Sequence, residues 1–253
     1  MGGIGYIVWW DVLRVLKEVR TKKVRFLKAL TLHSKIAITA SLILIFAGAV
    51  LIFAFEYNNP KTMGNYTLLQ KMEVSLFQSV TTRTAGFATV PQENLTNASA
   101  IVCLFLMFIG GSPVGTAGGI KTVTIAVIIV AAISSIRNKE DTEVFGRQLT
   151  KQAVSKATAV TFMSFIIMFT STVLLSAVTD ANALDVVYET VSATATVGLT
   201  RNLTASLGNI GKLIIIITMY LGRVGPISLA VAFKGSKDNQ NVVRSPIEEI
   251  SVG

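Results

Sequence analysis

Two stretches of the chain carry no charge over the length that a helix needs to cross a bilayer. One runs from Ile36 to Phe55, between Lys35 and Glu56, and the other from Ala157 to Thr179, between Lys156 and Asp180. A hydrocarbon core of about 30 Å takes about 20 helical residues, so each predicts a membrane-spanning helix. Between them lies a longer apolar run, 94–136, whose single charge is Lys121. A fourth apolar stretch, Leu213 to Phe233, is interrupted by Arg223 alone.

The order of these segments repeats. From Lys35, and again from Lys156, the chain reads apolar span, polar loop, short amphipathic segment, Thr-x-Gly, apolar span. The short segments are 71–82 (KMEVSLFQSVTT) and 183–194 (ALDVVYETVSAT), each too short to cross a bilayer. Each leads into a stretch of small residues. Gly86 and Gly198, 112 residues apart, bring Thr84 opposite Thr196, Ala85 opposite Val197 and Phe87 opposite Leu199. The pattern predicts an all-α membrane protein with two helix–pore-loop–helix repeats. The boundaries are 1–34 (the cytoplasmic end of a preceding repeat plus a basic loop), 35–136, 137–155 (a connector), 156–233 and 234–253 (a tail).

Charge sets the orientation. The net charge of +9 is concentrated before the first span (Arg14, Lys17, Arg20, Lys22, Lys23, Arg25, Lys28, Lys35), between the second and third (Arg137, Lys139, Arg147, Lys151, Lys156), and in the tail (Lys234, Lys237, Arg244). Segments 56–96 and 180–212 are nearly neutral. By the positive-inside pattern, the start, the middle loop and the tail are cytoplasmic in a multi-pass cell-membrane protein. Only 15% of residues are charged and 51% are hydrophobic, which leaves no soluble fold to present a nucleic-acid footprint. One cysteine, Cys103, and one histidine, His33, exclude a disulfide framework and a zinc cluster.

The short segments therefore dip in from the outer side and return as extended strands. Non-helical backbone at membrane depth is tolerated only inside protein or along a water-filled path. A potassium filter replaces an ion's water shell with backbone carbonyls, and glycine supplies the unusual dihedrals that this requires. Thr84, Ala85 and Gly86, with Thr196, Val197 and Gly198, are the candidate filter residues. Potassium is expected at Thr84, Ala85, Thr196 and Val197. The alternative is a pair of ordinary Thr/Gly turns on the outer surface.

In the middle of the 94–136 run stands Gly110-Gly111-Ser112-Pro113-Val114-Gly115-Thr116-Ala117-Gly118-Gly119. Glycine and proline at this density break a helix, which predicts an irregular loop at membrane depth, a candidate gate. Gly119-Ile120-Lys121-Thr122 is not a phosphate loop, because Ile120 separates the glycine from the lysine. An arginine in mid-span is costly against lipid, so Arg223 is expected to face the bundle interior as an electrostatic gate, or else to snorkel or bond carbonyls near Pro226. Arg83 either braces the first filter segment from behind or reaches outer water. Asp185 and Glu189 share a helical face, which a solvated pore entrance explains.

Thr81-Thr82-Arg83-Thr84-Ala85-Gly86-Phe87, GGSPVGTAGGIKT (110–122) and Leu221-Gly222-Arg223-Val224-Gly225-Pro226 together resemble the Trk/Ktr potassium-uptake membrane subunits, from Gly2 to about Phe233. The resemblance implies four helix–pore–helix repeats around one ion path, a homodimer, and a cytosolic nucleotide-binding regulatory subunit. It also implies potassium uptake, sodium-dependent in some members, with no covalently bound cofactor and no enzymatic chemistry. Thr84–Gly86 and Thr196–Gly198 then become the filter segments of the third and fourth repeats. Gly110, Gly111, Ser112, Pro113, Gly115, Gly118 and Gly119, with Lys121 and Arg223, become the gating elements. Only two repeats are present, so the chain reads as the C-terminal half of such a subunit, with the preceding repeats missing. Two copies meeting face to face would be the other way to complete four strands. A function of a different class, a non-conducting membrane scaffold that docks a cytosolic partner through its basic loops, is the alternative to transport.

Overall fold

The computed structural model describes residues 2–22, 29–139 and 141–225. Its elements in chain order are α1 (Tyr6–Lys22), α2 (Leu32–Glu56), α3 (Leu68–Thr81), α4 (Asn97–Phe108), α5 (Thr122–Ile136), β1 (Glu143–Val144), β2 (Arg147–Gln148), α6 (Lys151–Val178), α7 (Ala183–Thr194), α8 (Leu203–Ser206) and α9 (Asn209–Val224). Among the described residues two helices, α2 and α6, are long and apolar enough to cross a membrane.

Each long helix begins earlier than the uncharged run that predicts it, because its N-cap lies among polar residues. Thr31 caps α2 by accepting from the Ser34 amide, and Thr150 caps α6 by accepting from the Ala153 amide. The first short helix likewise starts at Leu68 rather than Lys71. There Thr67 and Gln70 form a capping box that satisfies two otherwise open amides. The second spans Ala183–Thr194, capped by Asn182. The 94–136 run divides into α4 and α5, with an irregular excursion between them.

One feature departs from the all-α expectation. The connector 137–155 contains a two-stranded hairpin, Glu143 facing Gln148 and Val144 facing Arg147. Phe145 and Gly146 turn it with φ of 51° and 72°, the left-handed pair that a tight two-residue hairpin requires. Residues 234–253, Pro226, Phe233 and most of the basic cluster 22–28 lie outside the described residues.

The long helices turn large apolar side chains outward and several small hydroxyl residues toward their helix contacts. Ile43, Phe46 and Val50 on α2, and Phe162 and Phe169 on α6, are exposed, while Ser34, Ser41, Ser164 and Ser171 are buried. Thr218 of α9 donates to Ser171 of α6 at 2.8 Å. Small hydroxyl residues at helix contacts, with large apolar ones outside, suit a surrounding lipid. α2 packs on α3, α4 and α5, whereas α6 packs on α5, α7 and α9. The two halves meet where α5 lies against α6 and where α4 lies against α7, and Ile52, Cys103, Met107, Tyr188 and Val197 share one buried cluster.

Candidate functional site

The chain leaves α3 and α7 in matching ways. Ala85 and Gly86 both donate to the Thr81 carbonyl, at 3.1 and 3.2 Å. In the second copy Val197 donates to the Ser192 carbonyl at 2.9 Å and Gly198 to the Ser192 hydroxyl at 3.2 Å. Thr84 has φ of 66° and Gly86 of 79°, while Thr196 has 53° and Gly198 has 93°. Ala85 and Val197 between them keep negative φ. Such alternation cancels the peptide reversal of an ordinary strand, so successive carbonyls turn to one side. A left-handed threonine costs about 1–3 kcal/mol and persists only where its surroundings enforce it. The enforcement is visible: the Thr81 hydroxyl donates to the Phe87 carbonyl at 2.6 Å and accepts from the Phe87 amide at 2.8 Å. The two segments are also neighbours, since a Cβ on Gly86 would overlap the carbonyl oxygen of Val197.

The glycine-rich loop lies against the second segment. Gly110 and Gly111 open it, and the ends of the excursion are tied. Ile120 donates to the Phe108 carbonyl at 3.2 Å, Thr122 to the Gly111 carbonyl at 3.0 Å, and Ser112 and Thr122 share a hydroxyl hydrogen bond of 2.9 Å. The Gly2–Gly5 segment flanks it, with the Ser112 amide donating to the Gly3 carbonyl at 2.6 Å and the Tyr6 amide to the Val114 carbonyl at 3.3 Å. Pro113 and Gly115 sit in the bend beside Val114. A Cβ on Gly118 would overlap the Thr196 hydroxyl and lie 2.6 Å from the Ala195 carbonyl oxygen, and Gly119 approaches the Ala195 methyl.

Both cations assigned to this region turn toward the loop. Arg223 Nη1 donates to the Thr116 carbonyl at 2.6 Å, and Lys121 Nζ donates to the Ala117 carbonyl. They border a cavity of about 440 Å³ lined also by Gly115, Gly118, Gly119 and Thr194. The Arg83 side chain is turned inward, but toward the loop rather than onto the Thr84–Gly86 carbonyls: Nη2 donates to the Gly110 carbonyl at 3.1 Å.

Glu189 is a correction. A solvated entrance does not describe it, because it is 4% exposed. It accepts from the Thr200 hydroxyl at 2.6 Å and from the Thr204 hydroxyl, which anchors the chain just beyond Gly198. Asp185 is instead paired with Arg201 at 2.6 Å. Arg201 also donates to the Gln92 carbonyl at 2.9 Å, and the Tyr188 hydroxyl donates to Gln92 Oε1 at 3.0 Å, so the loop that follows the first Thr-x-Gly segment is stitched to the second half. Sequence reading missed this set. The hydroxyls of Thr200 and Thr204, set just after the Gly198 turn, are its available signal.

Apolar helices with hydroxyl groups at their contacts, two of them long enough to cross a bilayer, and two constrained Thr-x-Gly segments define a helical membrane protein. A family model described as TrkH, cation transport protein, matches residues 1–244, and the chain belongs to that family of cation transporters. It is 37% identical over 252 residues to the Ktr system potassium uptake protein B of Bacillus subtilis, covering all of this chain and 54% of that protein. It is 34% identical over 258 residues to the potassium/sodium uptake protein NtpJ of Enterococcus hirae, covering all of this chain and 55% of that one. The chain thus spans about half the length of the curated relatives it matches. The crystal structure of the potassium transporter TrkH from Vibrio parahaemolyticus superposes with a TM-score of 0.73 at 16% identity, over 92% of this chain and 49% of that one. That likeness concerns the fold.

Proposed function

We propose that this chain forms the third and fourth helix–pore–helix repeats of a potassium-uptake pore. The observation that carries the reading is the paired alternation of backbone hand at Thr84–Gly86 and Thr196–Gly198, in two segments lying side by side. Carbonyls turned to one side offer a potassium ion replacement for its water shell, at Thr84, Ala85, Thr196 and Val197. Two further repeats, supplied by residues beyond this chain, close the ring. Residues 110–119 form the gate beneath it, held in place by Lys121 and Arg223. Two positive charges on the ion's route raise the barrier to passage while the loop stays in place. The basic segments before α2, at 137–155 and in the tail face the cytoplasm, where a nucleotide-binding regulatory subunit docks. The complete protein is a homodimer, and sodium dependence follows the family pattern of some members.

The experiment is uptake by the full-length protein in cells that lack their own potassium uptake. Gly86→Ser and Gly198→Ser place a side chain on a left-handed residue within the filter and should degrade potassium-over-sodium selectivity. Unchanged selectivity in both variants removes the filter assignment. Absence of any rubidium uptake by the unmodified protein favours the docking scaffold instead.

A further inference from the structure

The first Thr-x-Gly segment and the glycine-rich loop are joined by one side chain. Arg83 leaves the backbone immediately before Thr84, and its guanidinium runs inward. Nη2 donates to the Gly110 carbonyl at 3.1 Å and approaches the Ser41 hydroxyl of α2 at 3.5 Å. Gly110 follows the last turn of α4, where carbonyls no longer find helical partners. The partners of Arg83 are thus a carbonyl and a hydroxyl, with no carboxylate. Its Nη1 is buried with no hydrogen-bond partner among the described residues, beside a cavity of about 340 Å³ lined by Gly3, Ser41, Thr84, Gly111 and Thr116.

The second unit is built differently at the matching position. Ala195 stands where the first has Arg83, and there the loop is held by direct packing: a Cβ on Gly119 would come within 3.2 Å of the Ala195 methyl. The loop is therefore seated between two unlike supports. Its exit, at Gly118 and Gly119, rests on the second segment by shape. Its entry, at Gly110, is joined to the first by one charge-assisted hydrogen bond, beside the backbone ties of Gly111 to Thr122 and of Ser112 to Gly3.

We infer that Arg83 is a positioning residue that latches the glycine-rich loop to the first Thr-x-Gly segment, so that displacement of the loop requires release of the Gly110 carbonyl. The inference rests on the reading of the loop as gate and of the segments as filter. Because Arg83 sits next to Thr84, release of the loop also frees a restraint on a left-handed residue of the filter. Gate position and filter geometry are linked through this residue.

The test measures the loop itself in the full-length protein. With Cys103→Ala removing the native thiol of this region, Val114→Cys reports loop exposure through its rate of labelling by a small thiol reagent. Arg83→Gln should speed labelling about tenfold, the effect of losing one hydrogen bond to a charged donor, and raise resting rubidium uptake. Arg83→Lys, which restores a charged donor, should recover most of the slow labelling. Labelling by Arg83→Gln within about twofold of the parent, at equal membrane level, overturns the latch. If Arg83→Gln does not reach the membrane, Ser41→Asp serves in its place. It sets a carboxylate beside the same guanidinium and should draw it from Gly110, accelerating labelling; unchanged labelling overturns the latch equally. Gly86→Ser and Gly198→Ser in the same cells separate the two ideas. Lost selectivity there with an inert Arg83 removes only the latch, whereas retained selectivity removes the filter reading on which it rests.

Discussion

Glu56 closes α2 with a fully buried carboxylate, and the effect of losing it can be worked bond by bond. Oε2 accepts from the Thr62 hydroxyl at 2.6 Å and from Asn59 Nδ2 at 2.7 Å. Oε1 accepts from the amide and the hydroxyl of Thr96, both at 2.8 Å. Glu56→Ala strands four donors, but three have somewhere to go. Asn59 Nδ2 already reaches the Asn94 carbonyl at 2.9 Å, the Thr96 hydroxyl lies 3.1 Å from the Ser99 hydroxyl, and the Thr62 hydroxyl lies 3.5 Å from the Asn59 carbonyl. The Thr96 amide, at the N-cap of α4, has no second acceptor. One orphaned buried amide costs about 1–3 kcal/mol, and trading charged acceptors for weaker neutral ones brings the loss to about 3–5 kcal/mol. Glu56→Gln keeps one oxygen for Thr96 but turns an NH2 toward Asn59, where two donors meet, for a loss of about 1–2 kcal/mol. Thermal unfolding of the purified full-length protein is the assay. At about 1 °C per kcal/mol for a protein of about twice this length, Ala should lower the midpoint by about 4 °C and Gln by about 1–2 °C. A Glu56→Ala midpoint within about 1 °C of the parent, or a Gln variant less stable than Ala, would refute the reasoning.

Three other predictions follow from described contacts. Tyr188→Phe removes a hydroxyl from Gln92, which Gln78 still holds at 2.6 Å, so it should cost about 0.5–1.5 kcal/mol in the same unfolding assay, against about 3–5 kcal/mol for Tyr188→Ala, which opens a cavity between the halves. Arg223→Ala frees the Thr116 carbonyl and removes a charge beside the loop, so rubidium uptake should rise; equal or lower uptake at equal surface expression counts against the gate. For Asp11, burial pushes the carboxyl up, but hydrogen bonds from Ser34 and Thr31 and the charge of Arg14 outweigh it, and the net shift is downward from 3.8. A lowered value means that its tie from α1 to Thr31 is fully present above pH 3.8 and fades as pH falls through the lower, folded-state value. The stability gap between parent and Asp11→Asn, about 1–2 kcal/mol at pH 7, should narrow in that acid window; a gap that is constant with pH contradicts the assignment.

The features readable from sequence are those that lipid or backbone chemistry enforces locally. Uncharged runs mark α2 and α6, because a charge within them would face hydrocarbon, and the glycines at 110–119 mark the break between α4 and α5. The helices start three to six residues before the segments that hydropathy picks out, since Thr31, Thr67 and Thr150 cap them from within polar sequence. The hairpin at 143–148 was hidden because Phe145, not asparagine or aspartate, takes the left-handed position of its turn. Long-range partnerships were the least legible. Arg83 and Gly110 are 27 residues apart, and Tyr188 and Gln92 are 96 apart. Glu189 looked solvated because a carboxylate on a short amphipathic helix gives no local sign that two threonines will fold back over it.

The tie between Ile109 and Ile120 has a consequence for how this protein can change over generations. Since Ile120 returns to the Phe108 carbonyl and Thr122 to that of Gly111, the end of α4 and the start of α5 are clamped to each other at the base of the excursion. An insertion or deletion of a residue at its far bend, around Val114, therefore leaves that clamp, and with it the register of both flanking helices, in place.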